Sequence, residues 1–175
     1  MAAKAYTHLL LKLCTFIILC IFYVILQNDS AVAMENSSKR VLFISSYTES
    51  YEAVPQEING IEKIFTPLGI SLDIEYMDTK RLDTAQNITL FYFLLKYKLN
   101  HVEPYDAIIV GDDNALQFAM NFQNELFSGL PIIFLGINDI HRAETAGEDP
   151  NITGIIEKIS IKENIELALK FNPEA

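Results

Sequence analysis

The chain has 175 residues, half of them hydrophobic, with 13 basic against 23 acidic residues and a net charge of −10. That length holds one ordinary domain plus an appendage. Its acidity excludes a nucleic-acid binder, since phosphates demand a positive footprint.

The appendage comes first. Lys4, His8 and Lys12 precede an apolar run from Leu13 to Leu26, and Gln27-Asn28-Asp29-Ser30 ends it. The run is about 14 residues, shorter than the ~20 a comfortable transmembrane helix needs. With Ala31-Val32-Ala33 as a small-x-small site, residues 1–33 read as a secretory signal peptide. If Lys12 snorkels, the same segment reads as an uncleaved apolar membrane helix. Either way, later residues are expected to be extracytoplasmic, because the basic residues precede the run. Cys14 and Cys20 both lie in this segment, so a domain starting after it has neither disulfide nor thiol. Removing Lys4, Lys12 and Asp29 takes the 13 basic and 23 acidic residues to 11 and 22.

Residues 34–40 are a short polar linker, and 41–175 form the domain. Val41 to Ser46 (VLFISS) reads as the first strand, followed by a polar loop containing Tyr47. Pro55, then Ile58, Ile61, Ile64 and Phe65, describe an amphipathic helix ended by Pro67 and Gly69. Ser71 to Met77 alternates apolar and acidic residues, as an edge strand does. Ile88, Phe91, Tyr92, Leu95, Leu99 and Val102, broadened by Leu94, trace a long helical stripe.

Asp106 to Val110 is the third strand and stops at Gly111-Asp112-Asp113-Asn114, where Asp113 or Asn114 can cap the next helix. That helix carries Leu116, Ala119, Met120 and Gln123. Ile132 to Leu135 is a fourth strand ending in Gly136-Ile137-Asn138-Asp139, followed by a short helix at residues 141–146. Ile152 to Ile156 is a fifth strand ending at Glu157. Ser160 caps a last helix with Ile161, Ile165, Ala168 and Leu169. This alternation predicts an α/β fold, a doubly wound five-stranded parallel sheet in the order 2-1-3-4-5.

In such a sheet, ligands bind at the carboxyl ends of the strands. The candidate ligand-binding residues are therefore Ser46, Tyr47, Asp113, Asn114, Gly136, Asn138 and Glu157. Hydroxyls, amides and carboxylates of this kind fix a small polar organic molecule, with the carboxylates suited to an amine. No catalytic residue is assigned: His101 and His141 fall away from the strand ends, and no base faces a nucleophile. No cofactor is expected. The loop Ser45 to Ser50 lacks the glycine that would let backbone wrap a flavin phosphate, although a flavodoxin-like, flavin-binding enzyme is the rival class. Asp112, Asp113 and Asp139 do not have calcium-loop spacing, so no metal is expected either.

The blocks VLFISSY (Val41 to Tyr47), EYMDTKR (Glu75 to Arg81), YDAIIVGDDNALQF (Tyr105 to Phe118), LPIIFLGIND (Leu130 to Asp139) and ITGIIE (Ile152 to Glu157) together resemble one family. It is the ABC-transporter substrate-binding family of the tryptophan/tyrosine type, whose module also serves as the extracytoplasmic sensor of histidine kinases and diguanylate cyclases. The resemblance implies one lobe of a periplasmic-binding-protein-like fold, binding an amino-acid-like solute and working with a membrane permease or a kinase or cyclase output domain. Many relatives carry a tryptophan where this chain has Ala53. Relatives also continue into a second lobe where this chain stops at Ala175, so the resemblance implies the N-terminal lobe alone, a truncated module or an inactive gene fragment.

Overall fold

A computed structural model describes residues 15–17, 38–157 and 160–172. Residues 15–17 are helical; the rest of the apolar N-terminal segment lies outside the described residues. Among the described residues, no helix is long and apolar enough to cross a membrane.

From Lys39 onward, strand and helix alternate as expected: β1 (Arg40–Ser45), α1 (Ala53–Phe65), β2 (Ser71–Tyr76), α2 (Ala85–Leu99), β3 (Ala107–Gly111), α3 (Asp113–Leu126), β4 (Ile132–Ile137), α4 (Ile140–Ala146), β5 (Ile152–Ile156) and α5 (Ile161–Phe171). All four strand pairings are parallel, in the order β2-β1-β3-β4-β5. The interior strands β1 and β3 are almost wholly buried, which is why they read as unbroken apolar runs. β2, at one edge, is half-buried along nearly its whole length.

Helices cover both faces. Leu42, Ile44, Ile108, Val110, Ile132 and Phe134 point to one side, against Phe91 and Leu95 of α2, Leu116, Phe118 and Ala119 of α3, and Ala143 and Ala146 of α4. Val41, Phe43 and Ile109 point to the other, against Ile58, Ile61 and Phe65 of α1. Each fully buried Leu, Ile or Phe contributes about 1.5–3 kcal/mol. At the amino ends of the strands, Lys39 pairs with Asp106 at 2.7 Å and Arg40 with Asp73, the Arg40 guanidinium lying 4.7 Å from the Tyr105 ring centroid. The three strands β1, β2 and β3 are thus tied in register at the end away from the candidate site.

Several side chains depart from the expected stripes. Ile64 of α1, Leu94 of α2 and Val102 beyond it are exposed rather than core-facing. α5 forms where predicted, but Ile161, Ile165 and Leu169 are exposed and none of its residues is buried. Its Ser160 makes no side-chain cap hydrogen bond. Periodicity reports which residues share a helical face, and that face need not meet a partner.

Candidate functional site

The carboxyl ends of β1, β3, β4 and β5 form one edge, as the strand order requires. Ser46, just past β1, is fully buried. Its hydroxyl donates to the Gly111 carbonyl and accepts from the Ala115 N–H, both at 2.8 Å. The Ser46 carbonyl accepts from the Thr79 hydroxyl at 2.7 Å and from the Thr79 N–H at 2.8 Å. This expected ligand-facing residue is instead a pin joining β1, β3, the first turn of α3 and the loop after β2. Buried Thr79, unremarkable in sequence, is its counterpart.

Asp112 caps α3, in place of the expected Asp113 or Asn114. Its φ of 74° and ψ of 168° lie in a region essentially reserved for glycine, costing about 1–3 kcal/mol. Its carboxylate accepts from the Asp113 N–H at 2.9 Å. Asp113 itself is engaged with α4. Its carboxylate accepts from the Asp139 N–H at 3.1 Å and lies 3.8 Å from the Arg142 guanidinium, which also bonds the Asp113 carbonyl and pairs with Asp139. The Asp113 carboxylate is thus held against the first turn of α4. Asn114 is half-buried, and its amide makes no hydrogen bond among the described residues.

The centre of the edge is an acid that the strand-end reading missed. Glu57, on α1, projects its carboxylate over the ends of β3 and β4. A Cβ placed on Gly111 would sit 3.5 Å from Glu57 Oε2, and one on Gly136 would sit 3.7 Å from Oε1. Both glycines leave room for the carboxylate, and the φ of +67° at Gly136 supplies a further reason for glycine there. Burial raises the Glu57 pKa above the ordinary carboxylate value, and the Asp112 and Glu157 carboxylates push it further the same way. No cation or hydrogen-bond donor reaches Glu57 among the described residues. The spacing did carry a signal: Glu57 lies three residues after buried Val54 and four before core-facing Ile61, on the stripe itself.

Glu157 stands near this acid, Tyr47 beside Asp112, and Asn138 two residues past Gly136. Burial, then Asp112, raises the pKa of the half-buried Tyr47 hydroxyl. Its ring lies 4.5 Å from that of Tyr51, and the Lys80 ammonium is 5.1 and 5.2 Å from the two ring centroids. Asn138 and Glu157 are exposed; the Asn138 amide makes only a long 3.4 Å bond to the Gly136 carbonyl, and the Glu157 N–H continues the β4–β5 ladder to Ile137 at 2.8 Å. The edge thus gathers Tyr47, Gly136 and Glu157 of the expected set with Glu57 and Asp112, while Ser46 is interior and Asp113 is paired. His101 and His141 are exposed. Among the described residues, no three His, Cys, Asp or Glu side chains are grouped to hold a metal ion.

A buried carboxylate whose proton affinity is raised further by two neighbouring carboxylates favours a cation and repels a phosphate. The burial of Glu57, reinforced by those neighbours, makes a stability prediction. Because the Glu57 pKa is raised in the folded protein, its penalty is absent below the ordinary carboxylate range and fully present above the folded pKa. Glu57→Gln should raise the melting temperature at pH 7.5 by about one or two degrees, a small gain because solvent screens a half-exposed group. The gain should vanish by pH 3.5 in paired thermal scans.

The edge therefore belongs to an open, doubly wound α/β domain with an acidic rim. Comparison with protein-family models, curated protein sequences and solved structures finds no match at any of the three levels.

Proposed function

We propose that this domain is the extracytoplasmic ligand-binding lobe of a solute-binding or sensor module, taking a small polar molecule that presents a cationic group, such as an amino acid. The observation that carries the reading is the uncompensated carboxylate of Glu57 beside Asp112 and Glu157 at the carboxyl edge of the sheet. An ammonium placed there relieves three like charges at once and gains charge-assisted hydrogen bonds. The resemblance to substrate-binding lobes of the tryptophan/tyrosine type supports the same edge, and the apolar segment before Ala33 supports export and a link to the membrane. In this reading the protein binds and signals or delivers rather than catalyses, and its partner is a membrane permease or a kinase or cyclase output domain. A flavin mononucleotide is the poorer ligand, because its phosphate would meet the carboxylates while the Ser46 hydroxyl is already committed to Gly111 and Ala115.

The test is backbone-amide NMR of the full chain in detergent micelles, titrated with lysine, a diamine, succinate and flavin mononucleotide. Amides at Tyr47, Gly111 and Gly136 should shift with the two amines and stay still with succinate and the flavin. Glu57→Gln should weaken amine binding about ten- to a hundred-fold, the loss of one charged hydrogen bond. Silent amides with both amines, or equal response to succinate, would remove the reading.

A further inference from the structure

The helix α2 is apolar on two faces. Ile88, Phe91, Tyr92, Leu95 and Leu99 pack on the sheet, as a surface helix requires. On the opposite side Leu90, Phe93, Leu94 and Tyr97, at i, i+3, i+4 and i+7, are 69%, 62%, 52% and 62% exposed. The His101 ring stacks on Tyr97 with centroids 4.2 Å apart and prolongs the stripe. Two aromatic and two leucine side chains so exposed present roughly 500 Å² of apolar surface, at the upper end of what a typical monomer leaves in one patch.

We infer that this face is the interface between two copies of the chain, joined by antiparallel pairing of α2. Charge is the first argument. In a protein of net charge −10, like copies repel, yet the fifteen residues of α2 include neither Asp nor Glu. Its two lysines are turned back on their own fold: Lys96 bonds the Tyr92 hydroxyl at 2.7 Å and lies 3.6 Å from Glu125, and Lys98 is 2.8 Å from both oxygens of Glu75. A helix lying on an anionic membrane surface would instead need free cations beside its apolar face.

Shape is the second argument. A twofold axis between Phe93 and Leu94 sets Phe93 of one protomer against Leu94 of its partner, Leu90 against Tyr97, and Gln86 against His101. A hollow of about 340 Å³ lined by Ala85, Gln86, Thr89 and Leu90 lies at one end of the stripe, and the stacked Tyr97 and His101 rings form a projection at the other. Antiparallel pairing brings projection to hollow twice, as an isologous contact demands. Those flanks extend the contact beyond the stripe itself.

The full chain in detergent should show twice the chain mass by light scattering, and Phe93→Glu or Leu94→Glu should halve it while leaving the circular dichroism unchanged. In a Cys14→Ser, Cys20→Ser background, mixing a Gln86→Cys chain with a His101→Cys chain should yield an oxidised heterodimer, with little cross-linking of either alone. This second measurement stands even if a glutamate variant misfolds. A monomeric wild-type mass, Gln86→Cys chains cross-linking to one another, or lipid contact at Phe93 without any 86–101 cross-link would each overturn the pairing.

Discussion

Ser46→Ala should unfold at a melting temperature several degrees below wild type, losing about 1–3 kcal/mol, although it deletes a single oxygen. The Ser46 hydroxyl is fully buried and serves the Gly111 carbonyl and the Ala115 N–H together. Alanine leaves both without that partner in a site no water reaches. The Gly111 carbonyl keeps its bond from the Ser46 N–H, so the Ala115 donor in the first turn of α3 bears most of the cost. Ser45→Ala is the internal control. Ser45 is equally buried, but its hydroxyl only accepts a long 3.3 Å bond from the Tyr47 N–H, so its loss should cost under about 1 kcal/mol. Equal costs for the two variants, measured by urea unfolding, would show that the pin does not hold the edge together.

Gly111→Ala is expected to cost a comparable 1–3 kcal/mol, by overpacking rather than by a lost bond. Its new methyl would lie 2.9 and 3.0 Å from two ring carbons of Phe43, which is wholly buried between sheet and α1. The ring cannot swing away, so α1 must shift, and Glu57 moves with it. Gly111→Ala should therefore lose the amine response of the edge as well as stability. Gly136→Ala separates the two effects: its methyl would clear Glu57 by 3.7 Å, leaving mainly the backbone cost of a φ of +67°. It should destabilise while keeping more of the amine response, read in the same NMR titration. Retention of full amine binding by Gly111→Ala would sever the proposed link between this glycine and the acid above it.

The sheet was legible because the apolar runs differ by position. The unbroken runs at Val41 and Ile108 mark interior parallel strands, and the acid-broken SLDIEY marks an edge. Strand order then followed from crossover length and handedness. Side-chain roles at the edge were less legible. A serine at a strand end reads the same whether it faces solvent or the next helix, so the burial of Ser46 and its bonds to Gly111 and Ala115 carry no local mark. Asp113 lost its exposed role to Arg142, twenty-nine residues later, and no local pattern announces that pairing. Glu57 sat on the stripe of α1, but a reading that follows apolar positions passes over an acid between them. The backbone of Asp112 carries no sequence mark at all, since aspartate is an ordinary capping residue.

The strand order has one more consequence, in time rather than space. β1 lies between β2 and β3, and its register sets Val41 beside Ala107, sixty-six residues later in the chain. At a synthesis rate of about 5–20 residues per second, β3 follows β1 from the ribosome by roughly 3–13 seconds. For that interval the almost wholly buried strand β1 has one hydrogen-bonding edge without its neighbour. The second edge of β1 is therefore completed only when Asp106 to Gly111 is present, the same segment whose end carries the acidic rim.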